Sequence, residues 1–486
     1  MGGYPKDESK NACLSINQSD EKEKNMNGSS QPRDFSALSF PEAPIVKVKP
    51  PGPESRRYLQ YQADHEGSAV SYSKGMPMAL RRGKGATLED VDGNIYIDLF
   101  GGAGVMAVGH GNPVVVEAAR RQIDEITHCL DIPNPSRMEL DKILLRLLPR
   151  QLSRVFYGGP TGSDAVEQAM KLARYNTKLV PMIAFEGSYH GMTAGALSLT
   201  SALSHKEGLL PLLPEVHFAP YAYCYRCVFG RQESSCALEC AKYLEHLLED
   251  PHSGVGKPAA VIIEPVQGEG GTIVPPDRFL PEVRRTCDKH DVLLICDEIQ
   301  SGLGRTGKMF SFEHTGVIPD VVTMSKALGG LGFPISAIAY KEKLNTLPAG
   351  KSIGTFRGNM VAFAAGARAL TFMLENGVPD YALSLGAKVL SWLKEVEKDS
   401  GIVGEARGKG LMLGVEFVKD KGTKEPASDL AKKARTLCHQ RGVMIEVGGH
   451  YSNVARFLPP LIITEKLIRK AVDIFAEAVA EIERTR

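Results

Sequence analysis

Two short stretches, Val292–Glu298 (VLLICDE) and Val321–Lys326 (VVTMSK), decide how this chain reads. Each is an apolar, β-branched run closed by a polar group, Asp297 in one and Lys326 in the other. Such runs predict strands buried on both faces of a parallel sheet. The carboxyl ends of those strands are where open α/β proteins hold their ligands. Similar runs, MIAF at 182–185, AVIIEP at 260–265 and ISAIAY at 335–340, alternate with glycine-rich turns and helical patterns. From about residue 154 that alternation predicts an α/β domain with a mostly parallel sheet.

Outward from this centre the pattern changes. Upstream, GATLEDVDGNIYIDLFGG at 85–102 predicts a hairpin divided near Asp92 and Gly93. Beyond about Asn376 a helix–strand–helix order appears, with GLMLGVEFV at 410–418 as strand and 467–483 as terminal helix. Residues 56–110 and 376–486 are therefore expected to build a second, smaller α+β domain beside a large domain at 111–375. Residues 1–55 are polar and end in a proline-rich run, so a disordered tail and stiff linker are expected there.

Bulk properties exclude several classes. The 486 residues are 43% hydrophobic and 24% charged with a formal net charge of +1, which suits a large soluble core. That balance gives no reason to expect nucleic acid or a membrane as partner. No apolar run reaches the roughly 20 residues of a membrane span, and the acidic start fits neither a signal nor a transit peptide, so a cytoplasmic protein is expected. Nine cysteines do not make a disulfide scaffold. Cys224, Cys227, Cys236 and Cys240 cluster, as a zinc site or as a thiol-rich loop; no metal is assigned.

The polar residues at the strand ends carry chemistry. A lysine amine can form an imine with an aldehyde, and an aspartate against a pyridine nitrogen keeps that ring protonated. Those two parts are what pyridoxal 5′-phosphate requires of its protein. An acid and a lysine after strands are also common without any cofactor, so the neighbours matter. In YGGPTGSDAVEQAMKLAR (157–174) a glycine-rich turn feeds a helix, offering Thr161, Gly162 and Ser163 to a phosphate; Val166, Ala169, Met170 and Ala173 share one face. Tyr189 and His190 follow MIAF, and an aromatic ring there can stack on a flat cofactor. Glu264, Gln267 and Glu269 follow another strand as site residues or solvated charges. Alternation sends Ile299 to the side of Asp297, leaving Gln300 for a ring oxygen.

Taken together and in this order, these segments resemble the class III aminotransferases, fold type I enzymes dependent on pyridoxal phosphate. The resemblance runs from about residue 60 to the end. GPTGSDAVE, YHGMT, YRC-x-FG, GTFRGN and DEIQSGLGRTGKMF are most similar to the diaminobutyrate–2-oxoglutarate group. The resemblance implies a seven-stranded-type sheet and specific roles. Lys326 would link to the cofactor aldehyde and Asp297 would meet the pyridine nitrogen. Tyr189 and Ile299 would cover the ring faces, Gln300 would meet the phenolic oxygen, and Gly162 and Ser163 would hold the phosphate. His190 and Glu264 would complete the cofactor site. Thr355 would reach the phosphate of a neighbouring subunit, which implies a homodimer or larger assembly with shared sites. Glu269 and Arg456 would act as a gate, the glutamate releasing the arginine for one substrate's carboxylate.

Departures from the wider class narrow the substrate. Met192 stands where many 4-aminobutyrate and acetylornithine enzymes carry arginine, and Arg357 stands where many have a small residue. Arg357 is expected to meet a substrate α-carboxylate or a surface acid, and Gly101 to Ala103 to line the entrance or simply end the hairpin. The expected reaction moves the terminal amine of L-2,4-diaminobutyrate, or a similar diamino acid, to 2-oxoglutarate, giving aspartate 4-semialdehyde and glutamate, or the reverse. Alternatives are a racemase or epimerase of the same fold, an ornithine or 4-aminobutyrate aminotransferase, and a ligand-sensing domain. The last would need a DNA-binding module, which the first 55 residues do not offer.

Overall fold

Seven strands form the central sheet of the computed structural model, which describes residues 34–486. In sheet order they are Arg154–Gly159, Ser336–Tyr340, Val321–Met324, Leu293–Asp297, Ala260–Ile263, Met182–Phe185 and Val216–Ala219. Ser336–Tyr340 runs antiparallel to both its neighbours, and the remaining pairs are parallel. Most of these strands are fully buried, as their unbroken apolar runs require when helices cover both faces. Helix Gly162–Thr177 packs on the sheet through Ala165, Val166, Ala169, Met170 and Ala173, the face that its periodicity predicts.

Register sets the centre of the site. Asp297 is the Cα partner of Thr323 on the adjacent strand. Lys326 follows three positions beyond Thr323, so the acid and the amine leave the same rim of the sheet.

Two further four-stranded sheets lie outside the central one, and the first joins strands from both ends of the sequence. Thr87–Asp90 and Ile95–Asp98 pair antiparallel, with Asp90 Oδ1 accepting from the backbone of Asp92 and Asn94 in the turn. Val443–Met444 then pairs in parallel with Ile95–Asp98. A separate antiparallel sheet contains Val403–Lys409, Met412–Phe417, Val454–Phe457 and Glu446–Gly448 in that spatial order. In it Arg456 lies opposite Gly414 on one side and Glu446 on the other.

The tail boundary needs correction. The expectation for residues 1–33 lies outside the described residues, but residues 35–55 are packed rather than loose. Phe35 is buried with its ring edge-on to Tyr381 at 5.3 Å. Ile45 exchanges backbone hydrogen bonds with Ile95, and Asn94 Oδ1 accepts from the backbone of Lys47 and Val48. A few apolar anchors in a polar stretch suffice to pin it, which overall composition conceals. Helix Pro53–His65 starts before residue 56, with proline at its first position and Asp92 accepting from the amides of Glu54 and Ser55. Among the described residues no helix is long and apolar enough to cross a membrane.

Candidate active site

The carboxyl ends of the parallel strands open into a cavity of about 770 Å³. Its lining includes Gly162, Ser163, Tyr189, His190, Glu264, Glu269, Asp297, Ile299, Gln300, Lys326 and Arg456. Eleven of the thirteen expected site residues thus converge from segments far apart in sequence. Thr355 and Arg357 do not reach this cavity. Thr355 is exposed, its carbonyl bonded to His128 Nε2 at 2.9 Å. Arg357 is buried against the ring of Phe156, 4.8 Å from its centroid.

Asp297 is held on three sides. Its Oδ1 accepts from Thr323 Oγ1 at 2.9 Å and from the Ile299 amide at 3.1 Å. Its Oδ2 lies 2.7 Å from His190 Nδ1. A carboxylate only accepts, so that histidine nitrogen carries the proton. These bonds fix the carboxylate at the cavity floor.

Glu264 is also fixed, accepting from the amides of Tyr189 and Gly268 at 3.0 and 2.9 Å. Burial pushes its carboxyl up to about 7, against the pull of His190. Lys326 adopts a left-handed backbone, φ 44°, unusual for a residue with a side chain. Burial and then Arg456 bring its amine down to about 8, while Glu264, Glu269 and Asp297 oppose the shift. A lysine near neutrality is one suited to moving protons.

The phosphate end is built from backbone. Thr161 caps helix Gly162–Thr177 in a reciprocal box with Asp164, leaving the helix's first amides at the cavity. Ser163 Oγ accepts from the Met192 amide at 3.1 Å, and Gly191, at φ 129°, passes so close to Ser163 that any Cβ would overlap its hydroxyl.

These features fit pyridoxal phosphate at each of its polar points. Asp297 faces the cavity for a ring nitrogen, a helix start serves the phosphate, and Lys326 serves the aldehyde. Gln300 Nε2 makes only a long bond of 3.3 Å to Ala103, and its Oε1 is buried without a partner, so the amide is open to a further contact. Ile299 lies across the cavity rim, against Gly162.

Arg456 and Glu269 form an ion pair, Nη2 to Oε2 at 2.7 Å. The arginine is 4% exposed and the glutamate 39%, so the glutamate is the partner free to swing away. Arg456 Nε and Nη1 remain buried without hydrogen-bond partners. Gly101 to Gly104 form a left-handed turn with all four φ values positive, and Ala103 alone of the three expected residues lines the cavity.

Tyr72, His205, Arg435 and Glu446 are among the lining residues that escaped the sequence reading. Tyr72, His205 and Arg435 do not close an apolar run, the signal that marked Asp297, Glu264 and Lys326; Glu446 does close the short run VMI at 443–445, and that signal was overlooked. The four clustered cysteines line a small separate pocket. Among the described residues the cysteines are free thiols, and no three of these sulfurs lie close enough together to share an ion.

The chain belongs to the class III aminotransferases, whose family pattern it matches over residues 69–479. That family depends on pyridoxal phosphate, in agreement with the geometry above. The chain is 38% identical to a diaminobutyrate–2-oxoglutarate aminotransferase of Rhizobium meliloti over 438 residues, 88% of this chain and 93% of the relative. It is 36% identical to a leucine/methionine racemase of Thermococcus litoralis, covering 87% and 94% of the two chains. Among solved structures, a Bacillus anthracis aminotransferase superposes with a TM-score of 0.80 at 26% identity, covering 88% and 99%.

Proposed function

We propose that this aminotransferase moves the terminal amino group of L-2,4-diaminobutyrate to 2-oxoglutarate, giving aspartate 4-semialdehyde and glutamate, or runs the reverse. The observation that carries the reading is the Glu269–Arg456 pair beside Lys326. One site must accept two substrates in turn, one with a carboxylate next to the reacting carbon and one without. With Glu269 in place Arg456 is neutralised and the diamine end enters; with Glu269 turned out, Arg456 offers a planar fork to the 2-oxoglutarate α-carboxylate. Several relatives at 36–38% identity bear the diaminobutyrate–2-oxoglutarate name, which supports this choice of donor.

When bound, pyridoxal phosphate supplies the electron-withdrawing ring that makes the substrate's carbon acidic. The protein does the rest. Asp297, steadied by His190 and Thr323, keeps a ring-nitrogen proton in place. Lys326 Nζ, near neutrality, would take the proton from the substrate carbon and return it on the far side of the transferring nitrogen, two bonds away. Gly162 and Ser163 would anchor the phosphate, and Tyr189 and Ile299 would cover the ring.

We assign Thr355, exposed and outside its own cavity, to the phosphate site of a second copy, which makes the working unit at least a homodimer. Arg357, two residues on, belongs to the same border. The free thiols fit a reducing, cytoplasmic setting.

An amino-donor panel with 2-oxoglutarate, scored for glutamate, tests the reaction. Turnover with diaminobutyrate but weaker turnover with 4-aminobutyrate is expected; no turnover with any diamino acid defeats the reading. Because a racemase is among the relatives, optical rotation is followed in parallel. Decay of rotation without glutamate formation would establish that alternative. Light scattering on the purified enzyme decides the assembly, a monomer being the adverse result.

A further inference from the structure

The cavity wall carries a second arginine–glutamate pair. Arg435, on helix Ser428–Gln440, and Glu446, on strand Glu446–Gly448, both line it, with Nη1 and Oε1 3.8 Å apart. Glu446 is the cross-strand partner of Arg456. The charges therefore form a row, Glu269 with Arg456, then Glu446, then Arg435, and of these Arg456 and Glu269 act on Lys326. Within this row Arg456 Nε and Nη1, Glu446 Oε2 and Arg435 Nε are buried without hydrogen-bond partners. Buried polar groups are normally satisfied, so these atoms leave hydrogen-bonding capacity at the cavity wall that a ligand could take up. Arg435 is also held in place: a Cβ on Gly75 would stand 2.7 Å from its Nη1.

Substrate chemistry says what such a row could read. In diaminobutyrate the carboxylate carbon lies three bonds from the carbon bearing the reacting amine. In glutamate the side-chain carboxylate carbon also lies three bonds from the reacting carbon. One cation placed beyond Arg456 therefore serves both. Only the diamino acid carries an ammonium beside that remote carboxylate, and an acceptor beside the cation would recognise it. Burial raises the Glu446 carboxyl pKa, with Arg456 acting against it, so an arriving ammonium favours the charged form.

We propose that Arg435 binds the carboxylate remote from the reacting carbon in both substrates, and that Glu446 binds the α-ammonium found only in the diamino acid. The inference rests on the diaminobutyrate reading above and deepens it. It gives the cavity a second carboxylate anchor where Met192 provides none, and it separates diaminobutyrate from 4-aminobutyrate, which has the same carboxylate but no α-ammonium.

The test uses holoenzyme half-reactions with glutamate, diaminobutyrate and alanine, followed by cofactor absorbance, for wild type, Arg435→Met, Arg435→Lys and Glu446→Gln. Glutarate, a diacid that cannot react, gives a binding readout by calorimetry with butyrate as the control. Arg435→Met is expected to lower kcat/KM for glutamate and diaminobutyrate about 10- to 100-fold relative to alanine, and to weaken glutarate binding similarly, with partial recovery in Arg435→Lys. Glu446→Gln is expected to lower the diaminobutyrate-to-glutamate ratio about tenfold. Equal losses for alanine and glutamate in both Arg435 variants would assign that residue a packing role and overturn the proposal. An unchanged ratio in Glu446→Gln overturns the second half. A wild-type enzyme that uses glutamate but no diamino acid refutes the donor and Glu446's role, while the glutamate-to-alanine ratio still decides Arg435.

Discussion

Replacing Lys326 by methionine should stabilise the cofactor-free protein, by an amount that depends on pH. The amine's ordinary value of 10.5 is brought down to about 8, first by burial and then by Arg456. At 1.36 kcal/mol per unit, the folded state bears a penalty of about 3 kcal/mol for a proton that the unfolded chain binds freely. The sign follows from proton counting. Between about pH 8 and 10.5 the unfolded chain holds more proton at this site, so wild-type stability rises with pH and the penalty fades. Below pH 8 the penalty is complete. Lys326→Met removes it, so the variant should exceed wild type by about 3 kcal/mol at pH 7 and by roughly half as much near pH 9.5. Urea unfolding of both apoproteins, followed by circular dichroism, gives the difference curve, in which the titrations common to both cancel. A gap of the same size at both pH values, or a less stable variant at pH 7, would refute the claim that the site holds a strained amine.

Three further changes probe the supports of the site. Gly191→Ala forces a side chain onto φ 129° and into the Ser163 hydroxyl; about 1–3 kcal/mol of strain and at least a tenfold loss of cofactor affinity are expected by equilibrium dialysis. His190→Phe removes the 2.7 Å partner of Asp297 and should weaken cofactor binding by about 2 kcal/mol, seen as a raised dissociation constant in absorbance titration. Arg407 Nη1 holds the buried Glu416 at 2.7 Å and its Nη2 holds the carbonyl of Gly271 at 2.7 Å, two residues beyond Glu269. Arg407→Met should cost about 3–5 kcal/mol in urea unfolding, because Glu416 is left buried with fewer partners.

The cofactor half of the site was legible because its chemistry follows strong apolar runs. A strand that must be buried announces where it ends, and Asp297, Glu264 and Lys326 stand at those ends. What the sequence did not disclose was their mutual support. His190 reaches Asp297 across 107 positions, and Thr323 does so only because register sets it alongside. The tail boundary was misplaced for a related reason: Phe35 and Ile45 are too few to shift composition, yet each finds a partner in distant chain.

The substrate half was hidden because it is made by tertiary placement. Arg435 lies in AKKARTL, where Lys432 and Lys433 look identical in type and are solvated. Only the fold decides that helix Ser428–Gln440 turns Arg435 and not those lysines to the cavity. Glu446 likewise matters through its register opposite Arg456. Arg435 lies on helix Ser428–Gln440 and Glu446 on the antiparallel sheet, whereas Lys326, Asp297 and the phosphate turn belong to the seven-stranded sheet. Exchange of one amino donor for another therefore needs changes at the antiparallel sheet and its helix, with the strand ends left intact. This division predicts that a chain keeping Lys326, Asp297 and the Gly162–Ser163 turn but losing Arg435 and Glu446 would retain cofactor binding and lose the diamino acid. The double variant Arg435→Met/Glu446→Gln checks it directly, by unchanged cofactor affinity and lost diaminobutyrate turnover; loss of both together would place the two residues in the fold and not in recognition.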